Sequence, residues 1–256
     1  MLRALRRPCI TLLCWLTTFV AVAGPPTTPD YEREKRWADQ TLEGIFTGEE
    51  VWIAQPHGHR FLGLYIEVEN AEGAVIVAHG RGWSPDFELY GELRTRIAEQ
   101  GYSTLSIQMP VLDGTAKLGN YLPVFPDAAE RIELSTEWLT AKGYADVAIV
   151  SHSIGATMTN YYLIRTPKHQ LKAWAFVSII NGLEDMFRIQ IPVLDIYGSE
   201  DWDITKHGAD ERLKQIVRIE GSHQVKVQDA GHFFEGKETE LVSEIVGFLD
   251  RVMKPR

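Results

Sequence analysis

From Gly73 onwards, short apolar segments alternate with longer amphipathic ones. The apolar segments are rich in β-branched residues, which is typical of strands buried on both faces of a parallel sheet. They predict strands at Ala74–Ala78, Ser103–Gln108, Asp146–Val150, Ala173–Ile180, Val193–Tyr197 and Gln224–Val227. The intervening segments predict helices at about Asp86–Gln100, Pro126–Lys142, Ala156–Ile164, Thr205–Gln215 and Glu238–Met253. Repeated strand–helix units predict an α/β fold, with a mostly parallel sheet covered by helices on both faces.

The region before Gly73 has a different pattern. Asp30 can cap a helix from Tyr31 to about Leu42, and Glu50–Gln55 and Phe61–Glu69 resemble two antiparallel strands. The loop between these strands contains His57 and His59. Two histidines without further ligands are more typical of a polar loop than of a metal site. We therefore predict no metal site in this loop.

Residues 1–23 have the pattern of a secretory signal peptide. Three arginines precede the almost unbroken apolar run Cys9–Val20, and Ala21-Val22-Ala23 resembles a cleavage site. The apolar run is short for a membrane span, so a retained N-terminal anchor is the less favoured alternative. We expect a bacterial protein exported to the periplasm or secreted, with residues 24–256 as a single domain and no stable membrane insertion after cleavage.

Composition narrows the possible chemistry. The chain has two cysteines, Cys9 and Cys14, and both lie in the predicted signal peptide, so the mature protein has neither a disulfide nor a thiol nucleophile. The formal net charge is −9, and loss of the three arginines with the signal peptide lowers it to −9 − 3 = −12. A surface this acidic argues against nucleic acid or an anionic membrane as the main partner.

The segment Ser151–Gly155 carries the strongest chemical signal. It follows the predicted strand Asp146–Val150 and precedes the predicted helix Ala156–Ile164, with Ser153 at the tip of the turn. A strand, a tight turn with a central serine and a helix form a nucleophile elbow, in which small residues on either side let the backbones approach closely. The first small residue of this motif is usually glycine, and here it is Ser151. An ordinary strand-to-helix turn is the alternative.

Two later loops supply the partners that a serine nucleophile needs. Asp201 follows the predicted strand Val193–Tyr197, and His232 follows the last predicted strand. The order Ser153, Asp201, His232 is that of the Ser…Asp/Glu…His hydrolases built on a parallel sheet. A serine hydroxyl needs an imidazole base, and the base needs an acceptor that fixes its tautomer. Asp203 and Asp185 lie on nearby loops and are the alternative acids.

The turn after the first parallel strand, His79-Gly80-Arg81-Gly82, provides a fourth element. Its glycines allow a backbone path that leaves N–H groups facing the site. The backbone amides of Arg81 and of Ile154, which follows the nucleophile, are our candidates for an oxyanion hole. We expect His79 to stabilise the turn rather than to act in catalysis.

Together, the His79-Gly80 turn, the Ser151–Gly155 elbow, the Asp201 loop and the His232 loop resemble the α/β-hydrolase superfamily. The resemblance extends from about Val75 to the C-terminus. Within the superfamily, the chain is similar to an exported bacterial branch of hydrolase-like proteins of unknown function. The resemblance implies an eight-stranded α/β-hydrolase fold, a Ser153–His232–Asp201 triad and no cofactor. Ser151 in place of glycine is a mild departure from the family pattern.

The substrate is predicted from the loops around the triad. The connection Asn181–Gln190 is too short for a large cap, so loops carrying aromatic residues would wall the site. The aromatic residues that we assign to substrate binding are Trp83, Tyr121, Trp202 and Phe233, with Phe87 nearby. Aromatic walls favour an apolar acyl or alcohol group, which points to a short- to medium-chain carboxylic ester as a small-molecule substrate. An acyltransferase with the same triad and a catalytically silent binding or envelope-assembly protein remain alternatives. The sequence does not predict an oligomeric state.

Overall fold

The computed structural model describes residues 28–180 and 182–254, and its centre is one eight-stranded sheet. The strands are β1 (Glu49–Ala54), β2 (Arg60–Ile66), β3 (Ala74–Ala78), β4 (Ser103–Ile107), β5 (Val147–His152), β6 (Leu171–Val177), β7 (Val193–Gly198) and β8 (His223–Val227). Their order across the sheet is β1-β2-β4-β3-β5-β6-β7-β8. Strands β3 to β8 run parallel, whereas β2 pairs antiparallel with both β1 and β4. The predicted mostly parallel sheet is confirmed.

Helices cover both faces of this sheet. They are α1 (Tyr31–Glu43), α2 (Leu89–Glu99), α3 (Phe125–Ala141), α4 (Ile154–Arg165), α5 (Asp203–Lys206), α6 (Ala209–Ile216) and α7 (Glu238–Met253). Successive side chains of a strand point to opposite faces. In β3, Ile76 packs in the core with α3 and α4, whereas Val75 and Val77 pack in the core with α2 and α7. The strands are therefore apolar on both faces, as their sequence pattern predicts.

Most elements begin or end a few residues from their sequence-based boundaries, and β6 ends at Val177 rather than at Ile180. Strand β5 continues to His152, because its last two polar side chains find hydrogen-bond partners inside the fold. The helix predicted at Thr205–Gln215 is divided into α5 and α6 around Gly208, a residue type with low helix propensity. The loop predicted at Met109–Phe125 contains a 3₁₀ helix at Leu118–Val124.

The parallel topology determines where a site can form. The carboxyl ends of β3, β5, β7 and β8 lie along the same edge of the sheet, where ligands bind in open α/β folds. Between β6 and β7, the described residues form no larger element than a 3₁₀ helix at Met186–Arg188, so the fold has only a minimal cap. The predicted signal peptide lies outside the described residues. Within residues 28–180 and 182–254, no helix is long and apolar enough to cross a membrane.

Candidate active site

Ser153 occupies the tip of a strained turn between β5 and α4. Its backbone has φ 57° and ψ −127°, a region that L-residues rarely adopt, and its N–H donates to the Val177 carbonyl. Two residues later, Gly155 lies so close to the His79 turn that a Cβ would be 2.3 Å from the His79 carbonyl oxygen. Only glycine fits there. The local geometry is that of a nucleophile elbow.

The Ser153 hydroxyl lies beside an imidazole that is itself held by a carboxylate. Ser153 Oγ is 3.0 Å from His232 Nε2, and His232 Nδ1 is 2.6 Å from Asp201 Oδ1. A carboxylate only accepts hydrogen bonds, so Nδ1 carries the proton and Nε2 of the neutral ring accepts from the serine. All three residues are buried. This arrangement can remove the serine proton as the oxygen attacks an electrophile.

Asp201 is held as a carboxylate by three donors. Oδ1 accepts from His232 and from the Trp202 backbone N–H at 2.7 Å, and Oδ2 accepts from the Ser178 hydroxyl. Burial would raise the pKa of Asp201, but these hydrogen bonds outweigh it and hold the pKa below its ordinary value. Neither alternative acid shares this setting. Asp185 is exposed in a 3₁₀ turn, and Asp203 is exposed and pairs with a lysine.

The His79 turn is fixed by the imidazole of His79. The Met109 N–H donates to His79 Nε2 at 2.9 Å, so the proton is on Nδ1, which donates to the Gly80 carbonyl at 2.7 Å. Burial lowers the pKa of His79 to about 4, which keeps the ring neutral. In a trans peptide the N–H is directed opposite to the carbonyl, so this bond also orients the Arg81 N–H. The turn-stabilising role expected for His79 agrees with this geometry.

The two candidate oxyanion donors are both backbone amides beside the serine. Ile154 begins α4, and the first N–H groups of a helix have no acceptor within it. Arg81 follows Gly80, at which a Cβ would lie 3.1 Å from Ser153 Cβ. The Arg81 side chain points away and donates to the Ala116 carbonyl at 3.1 Å. Any contribution from Arg81 to an oxyanion hole would therefore come from its main chain.

Aromatic side chains lie on one side of His232. Trp202, which is 48% exposed, stacks on the imidazole at 3.6 Å between ring centroids. Phe233 follows His232 and meets Trp83 edge-on at 6.0 Å. Trp83 stacks on Phe87 at 4.0 Å. These four residues form a continuous partly exposed surface, which we call the aromatic shelf.

Tyr121 does not belong to the aromatic shelf. It is only 1% exposed, packs in the hydrophobic core and accepts a hydrogen bond from the Leu112 N–H at 3.3 Å. The expectation that Tyr121 forms part of the substrate wall is therefore corrected. The predicted loop in which it lies folds into a 3₁₀ helix that turns the ring inwards.

Sequence reasoning assigned no role to four residues that form hydrogen bonds at the site, because no motif marks them. They are Ser178, Trp174, Tyr90 and His152. Ser178 binds Asp201, and Trp174 Nε1 donates to Ser151 Oγ at 2.8 Å across the β5–β6 pair. Tyr90 and His152 form a further buried hydrogen-bonded pair. The bond from Trp174 explains why serine can replace the usual glycine, because a buried indole N–H requires an acceptor.

The histidines of the early loop are used within the fold. His59 pairs with Glu34 at 3.1 Å, and His57 lies 3.0 Å from the Tyr31 hydroxyl. No group of three or more His, Cys, Asp or Glu side chains that could hold a metal occurs in the part of the chain that the structure describes.

Comparison with protein families identifies only part of the chain. Residues 9–123 match the model of a family described as protein of unknown function (DUF3530). This region ends before Ser153, so it includes the His79 turn but none of the Ser153–His232–Asp201 group. No curated protein matches the sequence.

Solved structures are similar to the chain over most of its length. A dienelactone hydrolase from Anabaena variabilis is 18% identical, with a TM-score of 0.66, over 81% of this chain and 99% of that one. An esterase from Pyrococcus furiosus is 16% identical, with a TM-score of 0.66, over 85% and 96%. A lidless serine hydrolase from Xanthomonas campestris is 16% identical, with a TM-score of 0.63, over 81% and 95%. At this identity the similarity establishes the architecture, and the chain has the α/β-hydrolase fold.

Proposed function

We propose that the protein is a serine hydrolase that cleaves carboxylic esters. The observation that carries this proposal is the continuous hydrogen-bonded series from Ser153 Oγ to His232 and on to Asp201, with separations of 3.0 and 2.6 Å. These distances are within the range in which a base can take the proton of a serine nucleophile. The fold shared with hydrolases and esterases supports the same reaction class.

The proposed reaction has two steps. His232 Nε2 takes the Ser153 proton while Oγ forms a bond to the ester carbonyl carbon, and the carbonyl oxygen becomes an oxyanion bound by the Arg81 and Ile154 amides. His232 then donates its proton to the departing alkoxide, which leaves an acyl-serine. Water attacks this intermediate by the same route and releases the carboxylic acid. Asp201 stabilises the imidazolium formed in each step. The reaction needs only these groups and water, with no cofactor.

The aromatic shelf supports an apolar small-molecule substrate. Trp202, Phe233, Trp83 and Phe87 offer ring surfaces next to the base, and aromatic surfaces favour apolar acyl or alcohol groups. The minimal cap leaves this surface partly exposed. We therefore propose short- to medium-chain esters as the substrate class.

A fluorophosphonate probe tests the activated serine directly. The purified protein, Ser153→Ala, His232→Ala and the control Ser135→Ala are compared for covalent labelling. Ser135 is a buried serine whose hydroxyl donates to the Arg131 carbonyl, remote from the triad. We expect labelling of the wild type and the control, and none of the other two. A folded wild-type protein that remains unlabelled would refute the proposed function and favour a silent binding protein.

An ester panel then tests the reaction and the substrate class. p-Nitrophenyl esters of increasing acyl length are supplied with water alone and with added alcohols or amines. We expect free acid as the main product. Products that carry the added acceptor would instead identify an acyltransferase.

We also propose that the protein is exported, on the evidence of the signal-peptide pattern in residues 1–23. Cell fractionation with N-terminal sequencing of the recovered protein tests this. The expected result is a chain that begins near Gly24 in the periplasm or medium. A cytoplasmic chain that begins at Met1 would contradict it.

A further inference from the structure

Tyr90 and His152 are buried beside the triad. Tyr90 lies in the first turn of α2, and His152 is the last residue of β5, directly before Ser153. The Gly80 N–H donates to Tyr90 Oη at 2.9 Å, Tyr90 Oη lies 2.9 Å from His152 Nδ1, and His152 Nε2 lies 2.9 Å from the His232 carbonyl oxygen. We call this series the Tyr90–His152 chain.

The acceptors and donors at its ends determine every proton position in the chain. The His232 carbonyl only accepts, so His152 Nε2 carries a proton and donates it. Burial lowers the pKa of His152 to about 3, so the ring is neutral and Nδ1 is an acceptor. Tyr90 Oη therefore donates to Nδ1 while it accepts from Gly80. Burial also raises the pKa of Tyr90 well above its ordinary value, so the hydroxyl keeps its proton.

The chain joins three parts of the site that are far apart in sequence. At one end it holds the N–H of Gly80 in the His79 turn, and at the other it holds the main chain of His232. Between them, His152 is covalently joined to Ser153. The contacts are close, because a Cβ at Gly80 would lie 3.0 Å from Tyr90 Oη, 3.1 Å from Ser153 Cβ and 3.2 Å from His152 Nδ1. There is no space for these groups to shift independently.

We propose that Tyr90 and His152 are positioning residues, which fix the positions of the His79 turn and of the His232 main chain relative to Ser153. This inference rests on the proposed function. Because the Gly80 N–H donates to Tyr90 Oη, that amide is not free to bind an oxyanion, and the Arg81 N–H remains the candidate donor in the turn. Loss of the chain changes where this amide and the base lie relative to Ser153, and displacements of about 1 Å can cost about a hundredfold in rate.

The first experiment measures the rate of fluorophosphonate labelling as a function of probe concentration. Tyr90→Phe keeps the ring and removes the hydroxyl, and His152→Leu removes both imidazole bonds. We expect the maximal labelling rate of each to fall about ten- to a hundredfold. The apparent affinity for the probe should not change, because the chain lies beneath the site. His152→Gln keeps a donor towards the His232 carbonyl and should recover part of the rate.

Tyr102→Phe is the matched control. Tyr102 is also a fully buried tyrosine, and its hydroxyl donates to Asp250 at 2.8 Å, away from the triad. The Tyr102→Phe protein should lose as much thermal stability as Tyr90→Phe, but it should be labelled at the wild-type rate. A Tyr90→Phe protein that labels as fast as Tyr102→Phe would overturn the inference.

The second experiment does not depend on catalysis. Hydrogen exchange of the Gly80 amide, followed by NMR, should be slow in the wild type and in Tyr102→Phe, and fast in Tyr90→Phe. Equal protection in all three would overturn the positioning role. If the folded wild type is not labelled, the proposed function fails, and the Gly80 exchange rates still decide whether the chain holds the turn.

Discussion

The buried imidazole of His152 should make the protein sensitive to mild acid. Burial lowers the pKa of His152 from 6.5 to about 3. The nearby His232 imidazole also lowers this pKa, whereas the hydrogen bond to the His232 carbonyl and the Asp201 carboxylate raise it. The same effect of burial lowers the pKa of His79 to about 4. In the unfolded protein each ring takes up a proton near its ordinary pKa. The unfolded state therefore binds more protons than the folded state as the pH falls below 6.5.

The sign and size of the effect follow from this difference. A group protonated only in the unfolded state lowers the free energy of unfolding by about 1.4 kcal/mol for each pH unit of acidification. For His152 the loss begins near pH 6.5 and ends near pH 3, a total on the order of 5 kcal/mol. A total stability of about 5–15 kcal/mol is usual for a domain, so this loss is large.

Replacement of His152 by Gln isolates this contribution. The free energy of unfolding is measured by urea denaturation between about pH 6 and about pH 4 for the wild type, His152→Gln and Tyr90→Phe. The free energy of unfolding of His152→Gln should change less with pH than that of the wild type, by about 1.4 kcal/mol per pH unit. Tyr90→Phe breaks the same chain but keeps the imidazole, so its free energy of unfolding should change with pH as steeply as that of the wild type. If the free energies of unfolding of the wild type and His152→Gln change equally with pH, the assignment of a neutral, buried His152 is refuted.

Three further substitutions have specific expected outcomes. Ser151→Gly should lower the free energy of unfolding by about 1–3 kcal/mol in urea denaturation, because Trp174 Nε1 loses its buried acceptor. Gly155→Ala should abolish fluorophosphonate labelling in a folded protein, because the added Cβ would lie 2.3 Å from the His79 carbonyl oxygen. Asp201→Asn should lower the labelling rate about a hundredfold or more through loss of the charge that stabilises the imidazolium, and a rate within threefold of wild type would contradict the proposed acid.

Much of the fold could be predicted from the sequence because its strands are buried on both faces. Runs such as Ala74–Ala78 are apolar throughout, and this pattern is sufficient to locate a central parallel strand. The pattern fails where polar residues enter the core. Strand β5 continues two residues beyond its predicted end, because Ser151 and His152 are satisfied by side chains from distant parts of the sequence. Those partners have no local signature.

In the site, too, the residues that follow from a local pattern were predicted, and those that depend on partners distant in the sequence were not. Ser153, Asp201 and His232 follow the ends of parallel strands, and parallel strands bring their carboxyl ends together whatever the details of packing. Their 3.0 and 2.6 Å separations depend on this topology. Tyr90 is a helical residue in a core position, and its sequence pattern is that of an ordinary buried tyrosine. The assignment of Tyr121 to the substrate wall was wrong for a related reason, because an aromatic residue in a loop can pack into the core as readily as it can line a pocket.

The elbow of this protein is held by hydrogen bonds on both sides of the strand that leads into it. Ser151 and His152 are consecutive, so their side chains point to opposite faces of the sheet. Ser151 accepts from Trp174 in the layer packed against α3 and α4, and His152 pairs with Tyr90 in the layer packed against α2 and α7. The strained backbone of Ser153 costs about 1–3 kcal/mol and persists only where the surroundings determine it. A glycine at position 151 would have no side chain to accept from Trp174, so only packing would support that side of the elbow. Here polar pairs support the elbow, so the site should tolerate apolar changes in the surrounding core better than the loss of either hydrogen-bond partner.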